Sequence, residues 1–175
     1  MLTNYLAHPQ KTTDHLDIWG IHVDMQNRRA ILLADSRTAG SITLTTVADV
    51  AHIVAQAVEY ESPWPEEGGI RGDEVSMAEL VALGEKIRGG PFSVETVLSV
   101  HARMGRLTAS WCPEMGHRTV AEEVRAASAK IFTAKTLLSV YQGAWAVSDE
   151  WNRLLPQYPF TSVEAFLQTW WAGHV

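Results

Sequence analysis

The sequence predicts a helix-rich α/β fold in which 175 residues form one domain, 1–175, around a small, mostly parallel sheet. Three observations lead there. Short apolar runs of strand length alternate with longer segments whose apolar residues recur at helical spacing. Several of those helical segments open on Ser or Thr with an acid three residues later, the reciprocal pairing that caps a helix. Hydrophobic residues make up 46% of the chain, enough for a core. Strands separated by helices favour parallel neighbours, because a parallel pair needs a crossover connection.

Residues 1–28 have no sustained period and read as irregular. Ala30 to Ala34 reads as a strand, Asp35 to Gly40 as a turn, and Ile42 to Thr45 as a second strand. Thr46 and Asp49 cap a helix whose Val50, Ile53, Val54, Ala57 and Val58 share one face. Pro63 and Pro65 break the pattern, and Gly69 to Gly72 reads as a brief strand followed by a loop. Ser76 and Glu79 box the next helix, with Met77, Leu80, Val81 and Ile87 as its buried stripe and Gly89-Gly90-Pro91 as its stop.

Phe92, Val94 and Thr96 alternate with polar neighbours as in a half-buried strand, and a short helix is expected around Val100 to Leu107. Thr108 to His117 reads as a loop. The longest helix starts at Thr119, boxed by Glu122, and runs toward Val147 with Val124, Ala127, Ile131, Leu138, Tyr141 and Trp145 on its apolar side. Thr161 and Glu164 box a last helix bearing Phe166, Leu167, Trp170 and Trp171. There is no internal repeat.

The charged fraction is 19%, the formal net charge is −6, and no block of Lys or Arg stands out. Nucleic acid and anionic lipid are therefore not expected as partners. No segment approaches the ~20 apolar residues of a membrane span. Cys112 is the only cysteine, which precludes an intramolecular disulfide, and the beginning of the chain has no secretory pattern. A cytoplasmic location is the expectation.

Four segments in order carry a resemblance. They are Asn4-Tyr5-Leu6-Ala7 with Val23 to Ala30; Thr45-Thr46-Val47-Ala48-Asp49-Val50-Ala51; Ile70-Arg71-Gly72-Asp73 with Ser76 to Gly89; and Pro159 to Leu167 with Trp171-Ala172-Gly173. Together they resemble the carboxyl-terminal, substrate-side half of fungal NmrA-like (isoflavone-reductase-like) proteins, a family of atypical short-chain dehydrogenases. The resemblance implies a truncated Rossmann-like domain lacking the N-terminal nucleotide-binding half. Complete members carry a G-x-x-G-x-x-G turn whose backbone amides hold the cofactor pyrophosphate. Here Gly68-Gly69 and Gly72 precede no suitable helix N-terminus, and Gly89-Gly90 ends a helix. Lys11, Lys86, Lys130 and Lys135 do not fall where the family's reductases place their lysine. No cofactor is expected, and hydride transfer by this chain alone is not.

Candidate chemistry follows partly from residue type and partly from that resemblance. His8, His15 and His22 lack the converging spacing of a metal site, so no metal is expected. The family's segment after Asn-Tyr-Leu crosses the substrate pocket, which makes Tyr5, His8, Trp19 and His22 candidates to stack on a flat ligand or move a proton. His101 and His117 flank Trp111 and Cys112, an acid or base beside an aromatic wall. Each of these groups equally suits an ordinary loop. Tyr141 and Trp145 stand one turn apart on a helix that would border the family's substrate cleft. The catalytic candidates are thus His22, His101 and His117, and the substrate-binding ones Tyr5, His8, Trp19, Trp111, Tyr141 and Trp145. Asp49 and Asp73 read as cap and turn residues.

Three functions remain in view. The first is a cofactor-independent enzyme performing cyclisation, isomerisation or dehydration on a hydrophobic fungal secondary metabolite. The second is a non-catalytic regulatory or interaction protein. The third is a reductase fragment that needs a partner chain for NADPH. An open sheet would also expose apolar surface, so a homodimer or a covering partner protein is expected.

Overall fold

A computed structural model describes residues 2–9, 20–114 and 121–174. The apolar run at residues 30–33 becomes the middle strand of a three-stranded sheet. In chain order the elements are α1 (Leu2–Leu6), β1 (Val23–Asp24), β2 (Arg29–Leu33), β3 (Ser41–Leu44) and α2 (Val47–Val58). There follow β4 (Asp73–Ser76), α3 (Met77–Arg88), β5 (Ser93–Val97), α4 (Ser99–Arg103), α5 (Glu122–Tyr141), α6 (Glu150–Leu154) and α7 (Val163–Trp171).

The fold is mixed α/β, but its sheet is not mostly parallel. β2 pairs in parallel with β5, Arg29 opposite Ser93 through Leu33 opposite Val97, whereas β1 joins the other edge antiparallel. β3 and β4 form a separate antiparallel pair, Ser41 opposite Ser76. The expected strand at residues 69–72 lies four residues further on, as β4. Gly72 passes against the Leu44 carbonyl at the end of β3, too close for a side chain, so pairing starts only at Asp73. A five-residue helix, α1, also stands in the segment read as irregular.

Side-chain caps open three of the helices, α2, α3 and α7. Thr46 Oγ1 accepts from the Asp49 amide at 3.0 Å, and Ser76 and Glu79 form the full reciprocal box before α3. α7 starts one residue later than its expected box, with Ser162 as cap. Thr161 instead donates to Asp49 at 3.2 Å, and Tyr158 donates to the same carboxylate at 2.8 Å. Asp73 accepts from the Val163 amide at the start of α7. The expected Thr119 cap lies outside the described residues; α5 is described from Glu122, with no side-chain cap bond from Ala121.

The buried face of α5 holds Ala129, Thr133, Ala134, Leu137 and Val140, while Val124 and Ile131 are exposed. The largest core cluster joins Leu6, Val23, Ile42, Leu80, Leu167 and Trp171, so α1, β1, β3, α3 and α7 share one interior. α5 closes over β2 and β5 through Leu137 against Ile31 and Val97. Gly40, with φ of 59°, crosses the Tyr141 ring where an added Cβ would come within 2.7 Å. Only Ile53 and Ala57 of the expected apolar face of α2 are buried, against Trp151; Val50, Val54 and Val58 face outward. Among the described residues no helix is long and apolar enough to cross a membrane.

Candidate functional site

A cleft of about 520 Å³ opens between the end of α1, the β1–β2 hairpin and the Trp111–Glu114 strip. The hairpin turn places Asp24 at its base. Its carboxylate accepts from the Asn27 amide at 3.1 Å, from Asn27 Nδ2 at 2.8 Å and from Arg29 Nε at 2.8 Å. Arg29 is thereby held over the Trp111 ring, its guanidinium carbon 4.2 Å from the ring centre. Among the described residues, Nε is the only Arg29 side-chain nitrogen with a hydrogen-bond acceptor.

Tyr5 lines the same cleft from α1. Burial raises its phenol pKa first, the Asp24 and Glu114 carboxylates raise it further, and Arg29 works against them. The hydroxyl therefore stays protonated and can donate. His8 Nδ1 lies 2.9 Å from Gln26 Oε1, which fixes the orientation of the ring at the cleft. The His8 ring is held against Trp171, centroids 4.7 Å apart, and Trp171 donates to the Leu6 carbonyl at 2.8 Å. α7 thus fixes the end of α1 that carries both Tyr5 and His8. Gly20 forms part of the wall because the chain there touches Pro113; an added Cβ would lie 2.6 Å from the proline Cβ.

A second opening of about 410 Å³ continues along α5 past Cys112, Pro113 and Glu114 to Arg125 and Lys130. Trp111 Nε1 and Arg125 Nε are both buried without an acceptor among the described residues. No group of three or more His, Cys, Asp or Glu among the described residues is arranged to hold a metal ion.

Of the residues singled out from sequence, Tyr5, His8 and Trp111 come together in this cleft. His22 does not line it. It is buried, with Nε2 at 3.1 Å from the Thr133 carbonyl, and burial lowers its pKa to about 4. The hollow it shares with Trp145 measures about 10 Å³, the scale of one water. His22 still communicates with the cleft wall, because Thr133 also meets Cys112 Sγ at 3.2 Å.

Tyr141 packs between the two main core clusters, and its hydroxyl pKa is raised by burial. Trp145 donates to Ser139 at 2.7 Å. His101 lies on α4, away from the openings described here. Trp19 and His117 lie outside the described residues.

Asp24, Gln26, Asn27, Arg29 and Glu114 were not singled out from sequence. The available signal was Asp24-Met25-Gln26-Asn27-Arg28-Arg29, a polar hairpin turn ahead of an apolar strand, where clustered polar side chains must share one end of the sheet. Comparison with protein-family models, with curated proteins and with solved structures gives no match to this chain.

Proposed function

We propose that this chain is a cofactor-independent enzyme that performs non-redox chemistry on a flat, hydrophobic small molecule bearing carbonyl or phenolic oxygens. The observation that carries the reading is the cleft itself. Trp111 and Pro113 line one opening with Tyr5, Arg29 and the His8 ring, and among the described residues neither the Tyr5 hydroxyl nor the terminal Arg29 nitrogens have an acceptor.

In such a site Tyr5 donates a hydrogen bond to a substrate carbonyl, and Arg29 stabilises the negative charge that develops on that oxygen. His8 Nε2 takes a proton from the adjacent carbon, giving an enolate and a protonated His8. Return of that proton at another carbon is an isomerisation. Loss of a β-hydroxyl that takes the proton from His8 and leaves as water is a dehydration, and attack of the enolate carbon on a second carbonyl, whose oxygen takes the proton, closes a ring. All three leave the oxidation state of the substrate unchanged and balance within the site.

The same reading takes the chain as a truncated Rossmann-like domain akin to the substrate-side half of NmrA-like proteins, working in the cytoplasm on a fungal secondary metabolite. The parallel β2–β5 pair supports the Rossmann derivation. The test is incubation with aromatic polyketide and terpenoid intermediates, followed by mass spectrometry. Turnover should fall about a hundredfold in Tyr5→Phe and His8→Asn, the usual scale for losing one acid or base. Rates equal to buffer, or unaltered by both substitutions, would end the proposal.

A non-catalytic interaction role has one observation of its own in its favour, the exposed valines of α2.

A further inference from the structure

We infer that α2 is a self-association surface on which a second copy of this chain docks antiparallel, about a two-fold axis between Val50 and Val54. The inference stands independently of the cleft. α2 is anchored on one side by Ile53 and Ala57 against Trp151 and by Asp49 against Tyr158 and Thr161. Its outer side is apolar to an unusual degree for a surface helix. Val47, Val50, Val54 and Val58 are 54%, 38%, 49% and 74% exposed. Ala51 and Ala55 lie beside them, also exposed. The only Asp, Glu, Lys or Arg of the helix is Asp49, which is buried on the other side.

Three properties select a second copy as the occupant. First, the valines form a ridge at i, i+3, i+4 spacing and the alanines a shallow row beside it, so two such faces interlock ridge into groove. The pairing is isologous: Val47 meets the partner copy's position 58 and Val50 its position 54, and the reverse. Second, the charges agree with an antiparallel pair. Glu59 and Glu61 follow the C-terminus of α2, where they oppose the helix dipole. Antiparallel docking brings each acidic end beside the positive N-terminus of the other helix. Two chains of net charge −6 also meet here on a face that carries no charge of its own. Third, the exposed valines and alanines make a small face, below the size of a standard specific interface, which suits a weak contact between copies. A reversible dimer is the outcome, not a permanent one.

The test is sedimentation velocity on the full chain across micromolar concentrations, with circular dichroism to verify folding. The unaltered chain should dimerise, and Val54→Glu should weaken the dimer at least tenfold. An exposed helical position accepts Glu without unfolding, so the variant isolates association from stability. The double variant Val50→Lys with Val54→Glu should restore the dimer, since antiparallel pairing sets each Lys opposite the partner's Glu. A monomeric unaltered chain would overturn the inference and leave the face to a different protein. So would a dimer indifferent to Val54→Glu, or a double variant that stays monomeric.

Discussion

Arg29 lies over the indole of Trp111, its guanidinium carbon 4.2 Å from the ring centre. The contact spans two segments far apart in sequence, and Asp24 fixes it by holding Nε at 2.8 Å. The hairpin, the aromatic wall and the buried carboxylate therefore act as one unit. A charge stacked on an aromatic face contributes up to ~2 kcal/mol when desolvated and less in the open. Arg29 is about a third exposed and Asp24 is nearly buried.

Replacing Arg29 by Met keeps an apolar stem over Trp111 but removes the ion pair and the cation. Asp24 retains both Asn27 donors, so its carboxylate is not stranded. A loss of about 1–2 kcal/mol is expected in urea unfolding. Arg29→Lys should recover only part of it, because an ammonium cannot keep both the contact over the ring and the Asp24 bond. Equal stability of Met and Lys variants would show that packing alone matters at this contact.

His22 gives stability a dependence on acid. Burial lowers its pKa from 6.5 to about 4. Between those values the unfolded chain binds a proton that the native chain refuses, so the unfolded state gains as pH falls. The contribution is complete above pH 6.5 and is lost progressively toward pH 4, to a total of about 3 kcal/mol for one such group. Urea unfolding at a series of mildly acidic pH values should show this slope, and His22→Gln should flatten it. A slope equally steep in the variant would assign it to other groups.

Periodicity and capping chemistry made α2, α3, α7 and β2 legible, since local rules act within one segment at those places. The α2 face was misread because Val50, Val54 and Val58 are apolar at helical spacing yet turn outward, and spacing alone does not say which apolar stripe meets the core. In α5 the buried stripe runs through Thr133 and two alanines, small residues that carry little hydrophobic signal. The antiparallel β3–β4 pair joins segments far apart in sequence, which crossover reasoning does not reach, and β1 is a two-residue strand of a local hairpin, too short to carry a period. Within the cleft, Tyr5, His8 and Trp111 were legible as chemistry-bearing types. Asp24 and Arg29 were not, because their role depends on a hairpin bringing them under Trp111.

Asp49 ties the chain after α6 to α2. Its carboxylate takes bonds from the Tyr158 hydroxyl and from both the hydroxyl and amide of Thr161. Asp49→Ala leaves these part-buried donors without their acceptor and should cost about 1–3 kcal/mol. Asp49→Asn keeps an acceptor and should fall between the two. Unfolding midpoints of the three proteins decide the matter, and a loss below ~1 kcal/mol in the alanine variant would mean that water replaces the network.

Tyr5 is expected to resist ionisation at alkaline pH. Burial is the main cause, with Asp24 and Glu114 adding to it. Burial also raises Tyr141 and Tyr158, so three of the four tyrosines should lag behind the unfolded chain when phenolate absorbance is followed in the near ultraviolet. The sign for stability follows. Above pH ~10 the unfolded chain releases protons that the native chain keeps, so alkali favours unfolding. Tyr5→Phe should remove one lagging phenol from the titration and reduce the alkaline loss of stability. If Tyr5 instead ionised with the unfolded set, its hydroxyl would stand in water, and it could not serve as the protonated donor on which the proposed chemistry depends.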